Sequence, residues 1–139
     1  LFQRLVLADY TFPKDRIFAY LNLDDTDLRV YEKLYPVLAQ EVAKPDLVIY
    51  MQASVEVLLE RIRKRARDFE RSIEPAYLER LGEAYSYYFF HYRETPLLVV
   101  NTDDIDFVNN PSDLDAFIEQ IMRSRRGTQV YVPVSSKRN

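Results

Sequence analysis

Two hydrophobic patterns alternate along the chain. Short apolar runs occur at Leu5–Ala8, Leu47–Met51 and Leu97–Asn101, each bounded by turn-forming residues, which is how a strand buried on both faces reads. Elsewhere apolar residues recur three and four apart, the period of a helix with one buried face. Thr11–Leu23 is predicted helical, with Pro13 as its first residue and Ile17, Phe18 and Leu21 on one side. Asp24, Asp25 and Thr26 offer caps for a second helix reaching about Val42, with Leu28, Tyr31, Tyr35, Leu38 and Val42 as its stripe and a kink at Pro36. Lys44-Pro45 stops it.

The strand at Leu47 leads into a third helix. Ser54 is placed to accept from its first-turn amides, and Glu56 suits the positive end of its dipole. Val55, Leu58, Leu59 and Ile62 form the apolar stripe, and the far end gathers Arg61, Arg63, Lys64, Arg65 and Arg67 before Asp68 and Glu70. Pro75 opens a fourth helix whose segment Tyr85–Tyr92 is aromatic on nearly every side, the pattern of a helix buried all round or set in a subunit contact. Pro96 ends it. After the strand at Leu97, Thr102–Asn110 is a polar loop, and Ser112 with Asp115 reads as a capping pair for a last helix with Leu114, Phe117, Ile118, Ile121 and Met122 inward. Gly127 closes that helix, and residues 127–139 are a basic tail, irregular apart from Val130-Tyr131-Val132. Strands alternating with helices of this length give the α/β class with a parallel sheet.

At 139 residues the chain is about one domain, and 47% hydrophobic with 14% aromatic residues makes it globular and not disordered. It contains no cysteine, which removes disulfides and thiolate metal sites and fits a reducing cytoplasm. No run approaches the roughly 18 apolar residues of a membrane span. A net charge of −3 argues against a general nucleic-acid binder. In the parallel α/β class, ligands sit beyond the carboxyl ends of the strands, here Ala8-Asp9, Ala53-Ser54 and Asn101-Thr102.

KPDLVIYMQASVEVLLERIRKRARDFE followed by YLERL resembles the deoxynucleoside kinase family from its fourth strand through its lid. The family pattern there is P-D-L-x-I-Y-L-x-A, then R-I-x-x-R-x-R-x-x-E, then Y-L-x-x-L. ADYTFPKDRIFAYLNL resembles the segment after the family's third strand, above all in bacterial members of the deoxyguanosine, deoxyadenosine and deoxycytidine kinase type. TPLLVVNTDDIDFV resembles the fifth strand and adenine loop. The likeness runs from about Leu5 to Ile121, so residues 1–126 are expected to be the C-terminal portion of a P-loop kinase domain. Its parallel sheet would have the family order 2-3-1-4-5, with the first two strands outside this chain and a lid at about 61–72.

The resemblance implies transfer of the γ-phosphoryl group of ATP, with Mg²⁺, to the 5′-hydroxyl of a deoxynucleoside. Guanidinium forks stabilise the charge that spreads over the phosphoryl oxygens. Arg61, Arg65 and Arg67 match the lid arginines, and Arg61 and Arg65, four apart, share a helix face. Glu70 matches the lid glutamate that accepts from the sugar hydroxyl, and Tyr77 the tyrosine after the lid. Asp9 stands where the family's E-R-S places an arginine, and Arg16, with Lys14 and Asp15, offers charge beside it. Thr102, Asp103, Asp106 and Phe107 fall in the loop that borders the adenine of ATP. No metal ligand is assigned within the chain. The family further implies a homodimer through helices at about 27–42 and 76–92, with neither membrane nor nucleic acid as a partner.

The chain also departs from the pattern. It has no G-x-x-x-x-G-K-[ST], and the family's general base lies in the same upstream part. The lid's R-G-R reads Arg65-Ala66-Arg67. The chain is therefore expected to be a C-terminal fragment, or one piece of an assembly, that turns over nothing alone. By composition alone the arginine cluster is also a solvated, dipole-complementing helix end. Two competing readings are a basic helix that contacts nucleic-acid phosphates and a non-catalytic dimerisation module.

Overall fold

The structure, a computed structural model, describes residues 5–65, 73–107 and 109–133. The chain divides into two compact units, Leu1–Ala43 and Lys44–Asn139.

The first unit contains α1 (Phe12–Asn22) and α2 (Asp25–Ala39). Pro13 sits in the first turn of α1, where its missing N–H costs nothing. The Asp24 side chain caps α2 by accepting from the N–H groups of Thr26 and Asp27 at 2.8 and 2.9 Å. α2 continues through Pro36 but ends at Ala39, short of the expected Val42. Phe12 stacks on Tyr35 with ring centroids 5.1 Å apart, and Ile17 and Ala19 are buried.

One sequence expectation fails here. Leu5–Ala8 is not a strand: it has no regular structure, and its side chains are exposed, Leu7 by 85%. An apolar run becomes a strand only when a neighbour takes its ladder hydrogen bonds, and among the described residues it pairs with none.

The second unit is a parallel sheet with helical crossovers, as the α/β reading requires. β1 (Val48–Gln52) pairs with β2 (Leu97–Asn101), which pairs with β3 (Thr128–Tyr131), in the order β1-β2-β3. The register sets Val48 against Leu97 and Leu97 against Thr128. α3 (Val55–Arg65) and α4 (Pro75–His91) lie between β1 and β2 in sequence, and α5 (Pro111–Arg123) between β2 and β3. The adjacency of the runs at Leu47 and Leu97 follows the family order. The tail, read as irregular apart from Val130-Tyr131-Val132, supplies β3 over Thr128–Tyr131. Gly127 enables that strand: at φ +62 it holds the left-handed conformation a side chain disfavours, and its carbonyl accepts from the Leu97 N–H at 2.9 Å.

The central strand splits its side chains between two clusters, the alternation of a pleat covered on both faces. Leu97 and Val99 join Val48, Tyr50, Tyr85, Phe89 and Tyr92. Leu98 and Val100, fully buried, join Ile105, Phe107, Phe117 and Ile121. The aromatic helix therefore covers one face, with the Tyr50 and Phe89 rings stacked at 4.4 Å. Its other side stays open: Tyr87 is 72% and Phe90 74% exposed. The cap of α5 lies earlier than the Ser112–Asp115 pair predicted. The Asn110 side chain accepts from the Ser112 N–H at 3.2 Å, with Pro111 opening the helix.

Candidate functional site

Both strands of the central pair end at the same rim, and the residues just past those ends are tied to one another. Thr102, the first residue after β2, is 2% exposed. Its N–H donates to the Gln52 carbonyl at the end of β1 at 2.8 Å, and its hydroxyl donates to the same oxygen at 2.8 Å. That hydroxyl accepts in turn from Nη1 of Arg61 at 2.9 Å, while Nη2 of Arg61 donates to the Thr102 carbonyl. A carbonyl only accepts and a guanidinium only donates, so the direction of the chain from Arg61 through Thr102 to Gln52 is fixed.

The start of α3 is held from the same loop. Ser54 Oγ accepts from the Val57 N–H at 3.4 Å, a loose form of the expected cap. The N–H of Ser54 donates to the carboxylate of Asp103 at 2.7 Å, and the Asp103 N–H donates to Oδ1 of Asn101 at 3.0 Å. A carboxylate thus sits at the positive end of the α3 dipole. The spacing of Thr102 and Asp103 from α3, about fifty positions along the chain, gives no local signal of these ties.

The rest of the 102–110 loop folds on itself. Asp106 accepts from the backbone N–H and the side-chain amide of Asn109 at 3.0 and 2.7 Å, and its own N–H donates to Asp113 at 3.1 Å. Phe107 stacks on Phe117 with centroids 4.9 Å apart and packs against the buried cluster of Leu98 and Val100. Arg65, the last described residue of α3, is exposed on the helix surface. Tyr77 is half-buried in the first turn of α4, its N–H donating to the Glu74 carbonyl at 3.0 Å. Arg67 and Glu70 lie outside the described residues, as do lid positions 66–72.

Within the first unit, Asp9 is exposed in a bend. Arg16 grips Glu32 with both arms of its fork, Nε to Oε1 at 2.9 Å and Nη2 to Oε2 at 3.0 Å. Its guanidinium carbon lies 5.7 Å from the Tyr20 ring centre and 5.2 Å from that of Tyr35. Beside it the Tyr31 hydroxyl donates to Asp15 at 2.9 Å. Burial first, and then that carboxylate, raise the Tyr31 hydroxyl's pKa well above its ordinary value. The sequence named Arg16 but gave no sign that Glu32, a full helix away, was its partner.

Among the described residues no group of three His, Cys, Asp or Glu side chains is placed to hold a metal ion, and no helix is long and apolar enough to cross a membrane.

Three comparisons bear on these residues. The sequence profile of the deoxynucleoside kinases matches residues 2–124. The chain is 40% identical over 114 residues to deoxyguanosine kinase of Bacillus subtilis (strain 168), covering 79% of this chain and 55% of that protein. It is 30% identical over 129 residues to deoxyadenosine kinase of Lactobacillus acidophilus, covering 83% of this chain and 60% of that one. The structure of deoxyadenosine kinase from M. mycoides with bound dCTP superposes with a TM-score of 0.61 at 25% identity, over 81% of this chain and 59% of that chain. The chain spans a little over half the length of these two relatives.

Proposed function

The chain belongs to the deoxynucleoside kinase family, and from that premise we propose that it is part of an enzyme transferring the γ-phosphoryl group of ATP to the 5′-hydroxyl of a deoxynucleoside. The hydroxyl oxygen bonds to phosphorus as the bond to the departing ADP breaks, and the hydroxyl proton passes to a general base, which the family carries upstream of the matched segment. Such transfers depend on positioning and on cations placed where charge spreads over the phosphoryl oxygens.

In this reading Arg61, Arg65 and Arg67 meet the phosphates of ATP, and the loop holding Thr102, Asp103, Asp106 and Phe107 borders its adenine. Glu70 and Tyr77 serve the sugar side of the deoxynucleoside, with Asp9 and Arg16 on the substrate side as well. The observation that carries the reading is the seat of Arg61 on Thr102, beyond the carboxyl end of β2, because open parallel sheets bind their ligands outside that edge. A guanidinium carries five donors; Thr102 takes two, and the others are of the kind that meets phosphate oxygens. Kinases use ATP with magnesium; the described residues bring no carboxylate set together for that ion.

Dimerisation through the 27–42 and 76–92 helices belongs to the same proposal. Supporting it are the exposed apolar side chains Val30, Leu34 and Val37 on α2 and Tyr87 and Phe90 on α4, which a subunit contact would cover. The same proposal places the protein in the cytoplasm, a reducing compartment with which the absence of cysteine is compatible.

Incubating the full-length enzyme of which this chain is part with γ-labelled ATP, magnesium and each deoxynucleoside in turn tests the activity. Label on the 5′-oxygen of at least one deoxynucleoside is the expected result; label on none overturns the proposal.

A further inference from the structure

Thr102 has a property that an adenine-bordering residue does not need. It is buried, and its hydroxyl is used in both directions: it donates to Gln52 at the end of β1 and accepts from Arg61 on α3. Its carbonyl takes the second arm of the same guanidinium. The gripped arginine is otherwise a long side chain on an exposed stretch of helix, and such a side chain loses rotamer entropy when fixed. Here that cost is met before any ligand arrives.

We propose that Thr102 is the positioning residue of Arg61, holding its guanidinium at the rim in the orientation that meets the phosphates of ATP. The role rests on the kinase reading above and deepens it. One hydroxyl then couples three elements: the end of β1, the loop after β2 and the helix carrying the arginines. The Asp103 carboxylate on the Ser54 N–H makes a second tie between the same loop and the same helix. ATP contacting the loop with its base and Arg61 with its phosphates would meet one preassembled unit, which is how preorganisation strengthens binding.

The test replaces the hydroxyl and keeps the shape. Thr102→Val is isosteric, and the Gln52 carbonyl keeps the Thr102 N–H as a donor, so the fold survives. Thr102→Ser retains the hydroxyl. Steady-state phosphoryl transfer is measured on the full-length enzyme that contains this chain, with ATP and deoxynucleoside varied separately. Thr102→Val is expected to raise the KM for ATP about tenfold with the KM for deoxynucleoside unchanged, and Thr102→Ser to stay within about twofold of wild type. Nitrogen NMR of the Arg61 side chain should show slow guanidinium rotation in wild type and Thr102→Ser and fast rotation in Thr102→Val.

A Thr102→Val enzyme with wild-type constants, or one in which both KM values move together, overturns the positioning role and leaves the activity standing. A wild-type full-length enzyme that transfers no phosphoryl group overturns the kinase reading and this role with it.

Discussion

The backbone N–H of Ser54 donates to the Asp103 carboxylate at 2.7 Å, across 49 positions of sequence. A capping box satisfies such an N–H from within its own helix; here the acceptor comes from the turn that follows the neighbouring strand. Asp103→Ala removes a charge-assisted bond at a helix start and should cost about 1–2 kcal/mol. Asp103→Asn keeps an acceptor and should lose less. Urea unfolding followed by circular dichroism measures both; equal stability of Asp103→Ala and wild type would show that the contact carries no weight.

The Arg16–Glu32 pair is bidentate and about a third exposed on each side chain, 39% and 32%. Solvent screening keeps such a pair modest, while its two parallel bonds and the flanking Tyr20 and Tyr35 rings add geometry that lysine lacks. A double-mutant cycle of Arg16→Met and Glu32→Gln should give a coupling of about 1 kcal/mol. Arg16→Lys should recover less than half of what Arg16→Met loses. Full recovery by lysine would reduce the contact to a simple charge pair.

Burial, and next the neighbouring Tyr50 and Tyr77, push the Tyr85 hydroxyl from 10.0 up to about 12. Its folded pKa is raised above the unfolded one, so the stability it contributes is whole below pH 10 and is lost as pH climbs toward 12. Tyr85→Phe has no proton to lose and should flatten that part of the alkaline decline. Unfolding free energies across this range, alongside tyrosinate absorbance, test it; an unchanged slope in Tyr85→Phe would place the effect elsewhere.

The helices and the strands at Leu47 and Leu97 were legible because their signals are local. Proline at first turns, the Asp24 cap and the three-and-four spacing of apolar residues act within a few positions. Leu5–Ala8 misled because an apolar run states a preference for burial and does not name the neighbour that would supply it. β3 is legible only in part, as Val130-Tyr131-Val132, for the converse reason: Thr128–Tyr131 is short, with two of its residues exposed, and its pairing with β2 is long-range. At the candidate site the arginine spacing was legible through the family pattern. That Thr102 and Asp103 hold the start of α3 depends on two strand ends meeting at one rim, which only the folded register reveals.

The central claim is that the rim formed by the ends of β1 and β2, with Arg61 set on it, receives a nucleotide's phosphates. Amide hydrogen exchange of the full-length enzyme containing this chain, with and without saturating ATP, tests it most directly. Slower exchange across 52–65 and 101–107 is the predicted result, and unchanged exchange across both segments would contradict the account.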